Sequence, residues 1–276
     1  MQYVCPFLFP VSITYIGLVH RWLHDKPGIL RRDLSFNNIM CRILKRKNTK
    51  GEAVYEIYGV LTDYDLSSWT AALVNGYTKT SQQRTGTPPY MAQELLLGTC
   101  DTHMYRHDVE SFFYILLMMC TRHTIGNPEK GEKPGVIMRK GELPYQEWFN
   151  QYNYKALGND KYVFFLTRPA IEVSPAFEGF REWLRALRYS FFKGFKSKLD
   201  HSSNEEELPE WMLDVAGESA GQVKPTPVPF DDETLGGHVN YSAVIEPARR
   251  LKVRLEGLDI PYDPKSSQLP APTGAI

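Results

Sequence analysis

RRDLSFNN, residues 31–38, places Asp33 five residues before Asn38. The apolar segments on either side, residues 29–30 and 39–44, have the composition of short β-strands. An Asp that ends one strand and an Asn that opens the next lie close together, so both side chains are predicted to face one pocket. Taken alone, each is more often a residue that caps a turn. In this arrangement we interpret them as parts of one site.

A basic turn and a further strand follow this stretch. Residues 45–50 are polar and mostly basic, and residues 54–61 have the pattern of a strand that returns along residues 39–44. The resulting hairpin is predicted to bring Asp63, 25 residues after Asn38, to the same pocket. Asp and Asn oxygens suit a hard cation such as Mg²⁺.

The most discriminating stretch is residues 86–94, Gly-Thr-Pro-Pro-Tyr-Met-Ala-Gln-Glu. It fits the pattern Gly-Thr-x-x-Tyr-x-Ala-Pro-Glu at every defined position but one, where Gln93 replaces Pro. Residues 67–84, before it, have no clear period and carry Ser, Thr and Gln, which predicts a loop. The order and spacing of the three stretches resemble the catalytic loop, the metal-binding turn and the substrate-docking end of a protein kinase.

Among protein kinases, the chain resembles the fungal-type protein kinase family most closely. Residues 106–114 and the spaced Trp148, Lys161 and Phe164–Phe165 add to the resemblance, which extends from residue 12 to 200. It implies a serine/threonine protein kinase that transfers the γ-phosphoryl group of ATP to a protein hydroxyl, with ATP and Mg²⁺ as cofactors. Because the motifs begin at residue 31, we expect a truncated form: a protein kinase-like C-lobe with the N-lobe missing, which binds ATP poorly alone.

The resemblance also implies a role for each site residue. Asp33 positions the acceptor hydroxyl and accepts its proton, while Asn38 and Asp63 bind Mg²⁺ and, through it, the phosphates. Thr87 is expected to bond near Asp33 and shape the acceptor site. Arg32 is expected to pair with a phosphate on the activation segment. Candidate acceptors, each also readable as part of an ordinary solvated loop, are Thr78, Thr80, Ser81 and Thr85.

Two further carboxylates have implied structural roles. Glu94 is expected to form a buried ion pair with an Arg late in the domain, and the sequence does not choose among Arg181, Arg185 and Arg188. Asp108 is expected to hold the backbone of residues 31–33, and we also interpret it as the N-cap of a helix.

Three departures from the family pattern bear on activity. Arg31 stands where kinases usually have His, and Ser35 replaces a phosphate-contacting Lys in the catalytic loop. Asp65 replaces the Gly of the metal-binding turn, which limits the backbone freedom that Gly offers. The glycine pattern Gly-x-Gly-x-x-Gly, which covers ATP phosphates in kinases, does not occur in the sequence.

The apolar periodicity of the chain predicts a mainly α fold with a small β-hairpin. We place helices at residues 15–23, 92–97, 108–120, 145–157 and 176–198, and a polar loop at 121–141. Residues 1–200 are assigned to the kinase-like lobe. Residues 201–276 form an acidic and then Pro-rich tail, partly disordered or docked on the lobe through Trp211, Tyr241, Val244 and Ile245.

Composition restricts the classes of partner and compartment. The formal net charge is zero, so no general field favours nucleic acid or anionic membranes, and neither is expected as a partner. The basic residues at 42–50 are interpreted as a solvated hairpin tip rather than a nuclear-targeting patch. Four widely spaced cysteines without a Cys-x-x-Cys pair indicate a reducing, intracellular location, cytoplasm or nucleus. The protein substrate stays unidentified, and the Pro-rich tail is a candidate partner-binding segment.

Two other functions remain open at this point. A pseudokinase would use the lobe and its Pro-rich tail only to bind partners, although retention of Asp33, Asn38 and Asp63 together argues against it. A small-molecule kinase of the aminoglycoside or choline type has similar Asp-x₄-Asn and Asp-x-Asp turns, but such enzymes lack a segment like residues 86–94.

Overall fold

The computed structural model describes residues 9–47, 49–51, 53–70, 86–133, 135–205 and 229–250. Its helices are α1 Phe9–Asp25, α2 Gln93–Leu97, α3 Tyr105–Arg122, α4 Gln146–Asn150, α5 Tyr154–Thr167, α6 Arg181–Glu205 and α7 Tyr241–Arg250. Its strands are β1 Ile29–Leu30, β2 Ile39–Lys47, β3 Ala53–Leu61, β4 Ser68–Trp69, β5 His123–Gly126 and β6 Gly135–Met138. Short 3₁₀ turns cover Phe36–Asn38, Pro88–Tyr90, Pro128–Lys130 and Pro175–Phe180. The fold is therefore mainly α, as predicted.

The strands form three antiparallel pairs, β1 with β4, β2 with β3, and β5 with β6. The predicted hairpin is the second of these, and its register runs from Ile39 opposite Leu61 to Lys47 opposite Ala53. This register sets the ends of β2 and β3 side by side. The residues before Ile39 and after Leu61 consequently emerge at the same place.

Helix α3 is the centre of the core, because all 18 of its residues are buried. Its apolar residues contact aromatic rings of α5 and α6, and Phe113 lies within 5.4 Å of Phe165 and 6.2 Å of Phe191, centroid to centroid. Each such side chain contributes about 1.5–3 kcal/mol on burial. Where the structure describes the chain, none of the helices is long and apolar enough to cross a membrane.

Two predictions of local structure are wrong. Residues 121–141, predicted to be a loop, contain the hairpin β5–β6, whose connection passes so close to Gly126 that a Cβ there would lie 2.0 Å from the carbonyl oxygen of Lys133. The helix predicted at 145–157 is interrupted at residues 151–153. Asn153 caps α5 there, since its side chain accepts a hydrogen bond from the backbone N–H of Ala156. Helix α6 begins only after a 3₁₀ turn and continues to Glu205.

Residues 229–250 pack against the helices that precede them in the chain. Tyr241, Val244 and Ile245 are buried, and the indole N–H of Trp183 on α6 donates to the carbonyl oxygen of Val244 at 2.8 Å. Trp211 lies outside the described residues. The division of the chain at residue 200 stays a prediction.

Candidate active site

Asp33 stands at the centre of the candidate site. Its Oδ1 accepts hydrogen bonds from the backbone N–H of Thr87 at 3.1 Å and from the Thr87 hydroxyl at 3.3 Å. Its Oδ2 accepts one from the side-chain amide of Asn38 at 3.2 Å, and the same amide donates to the main-chain oxygen of Asp33 at 3.1 Å. The fold thus brings together three of the predicted site residues, which lie in two distant stretches of sequence.

The Asp33 loop, residues 31–38, is anchored from the core by Asp108. The two carboxylate oxygens of Asp108 accept the backbone N–H groups of Arg31 at 2.9 Å and Arg32 at 3.1 Å. His20 and His103 bond the same carboxylate at 2.9 and 2.8 Å. Burial alone would raise the pKa of Asp108, but His103 and His20 together hold it well below its ordinary value.

The predicted anchoring by Asp108 is therefore confirmed. The N-cap interpretation is wrong, because α3 begins at Tyr105 and its cap residue is Met104. Asp108 lies inside the first turn, and both of its carboxylate oxygens face the Asp33 loop rather than the end of its own helix.

Arg32 adopts a left-handed backbone conformation, with φ at 66°. Such a conformation is unfavourable for a residue with a side chain and persists when its surroundings hold it in place. The bonds from Asp108 do this from one side, and the Arg32 guanidinium donates to the Ser68 hydroxyl at 2.9 Å on the other. The phosphate acceptors proposed for Arg32, Thr78 to Thr85, lie outside the described residues, so that pairing stays a prediction.

Arg31 links the Asp33 loop to the turn that carries Asp63. Its guanidinium donates to the carbonyl oxygen of Thr62 and to the Ser67 hydroxyl, and it stacks 4.0 Å from the centre of the Tyr64 ring. An Arg in place of the usual His is therefore used to fix the geometry of the neighbouring turn.

Asn38 and Asp63, the predicted Mg²⁺ ligands, stand at adjacent ends of β2 and β3, and their binding of a cation stays a prediction. The backbone N–H of Thr62 donates to the carbonyl oxygen of Asn38 at 3.0 Å. Asp63 is the next residue after Thr62, so the chain brings it close to Asn38. Because the Asn38 amide nitrogen is bonded to Asp33, its side-chain oxygen remains for a cation, and the Asp63 carboxylate is exposed. The described residues include no cluster of three or more His, Cys, Asp or Glu suited to a metal. Mg²⁺ commonly takes one or two protein ligands together with substrate phosphates.

Ser35 is the predicted site residue that the fold sets apart. It is buried within the Asp33 loop, and its carbonyl oxygen accepts the backbone N–H of Asn38 at 3.1 Å. Its hydroxyl makes no hydrogen bond to Asp33 or Thr87. A contact of this side chain with a phosphate stays a prediction.

Lys161 holds segment 86–94 in place, and its role was not recognised in the sequence. Its buried ammonium donates to the carbonyl oxygens of Pro88, Pro89 and Met91 at 3.1, 3.0 and 2.6 Å. Burial lowers the pKa of Lys161 well below its ordinary value. The sequence signal that could have indicated this role is a Lys among the apolar residues that α5 buries in the core.

Gln93, the single mismatch in segment 86–94, has a structural explanation. Its backbone N–H donates to the Glu110 carboxylate at 2.7 Å, a bond that Pro cannot make. The same carboxylate oxygen bonds the Tyr114 hydroxyl at 2.6 Å. Burial raises the pKa of Glu110 to about 7.

Glu94 has a different partner from those predicted. It pairs with Arg106 on α3 and with Lys198 on α6, the latter at 2.9 Å. The expectation that its partner is Arg181, Arg185 or Arg188 is wrong. Arg181 and Arg185 pair with acids one turn away on the chain. Arg188 donates to the carbonyl oxygen of Pro169. Arg106 takes the position because it is buried at the start of α3, directly beside α2.

Comparison with known families points in one direction. The family model described as fungal protein kinase matches residues 18–120, which include the Asp33 loop, Asp63, segment 86–94 and most of α3. A search of curated proteins found no match to the chain.

Proposed function

We propose that the chain is the C-lobe of a protein kinase, and the match of residues 18–120 to the family model described as fungal protein kinase supports this proposal. In the complete architecture it transfers the γ-phosphoryl group of ATP to a serine or threonine hydroxyl of a protein. The observation that carries the proposal is the Asp33 carboxylate, which bonds Thr87 of segment 86–94 on one oxygen and Asn38 on the other.

The geometry suits an acceptor hydroxyl between Asp33 and Thr87. The bonds from Thr87 and Asn38 orient the Asp33 carboxylate, so that it aligns the hydroxyl and accepts its proton as the phosphoryl group leaves ATP. The Asn38 side-chain oxygen and the Asp63 carboxylate would hold Mg²⁺, which neutralises charge on the phosphates. Asp108 keeps the loop rigid, because it fixes two successive backbone N–H groups.

Segment 86–94 supplies the surface for the acceptor peptide in this proposal. Thr87 lies at its start, and Lys161 fixes the carbonyl groups of the next residues. A substrate peptide would therefore meet a rigid edge that begins within hydrogen-bonding distance of Asp33. Such positioning is the main contribution that a protein makes to phosphoryl transfer.

The experiment is transfer of radiolabelled γ-phosphate from ATP to a mixture of unstructured proteins by the full chain, with ATP raised to high concentration because the lobe alone is expected to bind it poorly. Asp33→Asn is expected to lower the rate by about 10²–10⁴-fold, the usual contribution of a positioned base. Asp63→Asn is expected to raise the Mg²⁺ concentration needed, whereas Asp65→Asn, exposed on the same turn, is the matched control.

Three results would contradict the proposal. Equal transfer by the chain and by Asp33→Asn would exclude the assigned role. No transfer at all, with partner binding retained, would favour the non-catalytic interaction module instead. Labelling of a hydroxylated metabolite but never of protein would favour a small-molecule kinase.

A further inference from the structure

A cleft of about 550 Å³ lies between the end of α5 and one face of α6. Its lining includes Arg168, Glu182, Arg185, Arg188 and Tyr189. None of these residues belongs to the candidate active site, and the match to the kinase family ends before them, at residue 120. The cleft is therefore distinct from the candidate active site.

Positive charge dominates the cleft. Three guanidinium groups line it against the single carboxylate of Glu182, which pairs with Arg185 at 2.9 Å. The charges of its lining residues therefore sum to about +2, since each Arg is ionised at neutral pH. Among the described residues, no acid forms an ion pair with Arg168 or Arg188, whereas Arg185 pairs with Glu182.

Arg188 is the most informative of the three. It is only 8% exposed, and its guanidinium donates to the carbonyl oxygen of Pro169 and lies 5.4 Å from the Phe164 ring. Within the described part of the chain, no carboxylate lies at ion-pair distance from it. Burial lowers the pKa of Arg188; Tyr145 opposes this shift, and the charges of Arg168 and Arg185 add to it. The carbonyl bond and the ring contact stabilise Arg188 only in part, so an anion in the cleft would supply the opposing charge that it lacks.

Arg168 points to the same conclusion. It ends α5 in a left-handed conformation, with φ at 50°, a position that usually falls to Gly. Its guanidinium stacks 4.2 Å from the centre of the Phe192 ring, and no acid in the described residues pairs with it. The side chain is thereby held at the cleft, and its guanidinium makes no hydrogen bond to the residues that the structure describes.

We propose that this cleft binds a phosphate monoester. A phosphate monoester carries a charge of about −1.5 to −2 at neutral pH, which balances the lining, and its oxygens accept paired hydrogen bonds from guanidinium groups. The ligand is a phosphorylated side chain of a peptide or a free phosphate species, which share this chemistry. The site does not depend on phosphoryl transfer by the chain.

The test is calorimetric titration of the full chain at constant ionic strength with three probes: a phosphoserine peptide, the same peptide with serine, and inorganic phosphate. Arg168→Ala and Arg185→Ala are each expected to weaken binding about tenfold, the scale of one charge-assisted hydrogen bond. Arg21→Ala is the matched control, because Arg21 is also an exposed helical Arg paired with an acid one turn away. Glu182→Gln is expected to strengthen binding, because it removes the only carboxylate of the lining.

Each outcome either tests the proposal or identifies the source of the phosphate group. Tighter binding of the phosphoserine peptide than of inorganic phosphate supports a phosphorylated protein, and equal affinity supports a free phosphate species. The proposal is overturned if neither phosphate probe binds saturably, or if binding is unchanged in Arg168→Ala and Arg185→Ala while both variants keep the circular dichroism spectrum of the parent chain. Binding of the unphosphorylated peptide with equal affinity also overturns it.

Discussion

Lys161 is a buried cation that is stabilised chiefly by three backbone carbonyl oxygens. We expect Lys161→Met to lower the free energy of unfolding by about 3 kcal/mol, because three buried acceptors lose a charged donor. Urea denaturation followed by circular dichroism measures this. Lys155→Met, at an exposed position of the same helix, is expected to stay within about 0.5 kcal/mol of the parent chain. Equal losses in the two variants would show that Lys161 does not hold segment 86–94.

The site residues of the Asp33 loop could be predicted from motif spacing, whereas the hydrogen-bond partners of Gln93 and Lys161 could not. The spacing of Asp33, Asn38 and Thr87 reflects a recurrent arrangement of short elements. By contrast, a Gln in place of Pro reads as a mismatch until Glu110 is seen to accept its N–H at 2.7 Å. Such a compensation joins a backbone N–H to a side chain, and the two meet only when α2 packs on α3.

At the scale of elements, residues 229–250 are held to α6 by a close approach at Gly194. A Cβ there would lie 2.7 Å from the Cβ of the fully buried Leu235. We expect Gly194→Ala to destabilise the chain by about 1–3 kcal/mol through this overlap, although Ala favours the helix by roughly 1 kcal/mol. Gly179→Ala, with nothing within 4 Å, is the control.

Hydrogen exchange locates the effect of the Gly194 substitution. Amides of α7 are expected to exchange faster in Gly194→Ala and at the parent rate in Gly179→Ala, since α7 follows directly on the displaced segment. Unchanged protection of α7 in both variants would mean that this segment does not depend on the contact with α6.

Helices with strong apolar patterns were predictable at this scale, and short elements were not. The run of apolar residues in α3 indicates a buried helix without reference to any neighbour. Hairpin β5–β6 has four-residue strands whose burial is only partial, so their periodicity is weak. At the interruption at residues 151–153, Asn153 accepts a capping hydrogen bond from the N–H of Ala156. A helical pattern averaged over the region does not reveal such a single bond.

Across the whole molecule, the candidate site depends on contacts between residues far apart in sequence. Thr87 bonds Asp33 across 54 positions, and the Tyr241 hydroxyl bonds His20 across 221. His20 in turn bonds Asp108, which holds the Asp33 loop. Family resemblance predicted the first contact. The second contact joins residues 229–250 to the Asp33 loop through His20 of α1. It could not be predicted, because the local sequence pattern around Tyr241 indicates only that this residue is buried.

Arg106 tests how the distant parts of the chain are held together. It is 1% exposed and contacts two carboxylates, the buried Glu94 of α2 and the half-exposed Asp232 of the tail. We expect Glu94→Gln to lower the free energy of unfolding by about 3–5 kcal/mol, because it leaves a buried guanidinium without its main counter-charge. Asp232→Asn removes a carboxylate from the same Arg, yet it should cost less than about 1 kcal/mol because solvent screens that pair. Urea denaturation of both variants, at low and at high salt, measures the difference. Similar losses in the two would mean that Arg106 is stabilised mainly by its bond to the carbonyl oxygen of Asp232 rather than by charge.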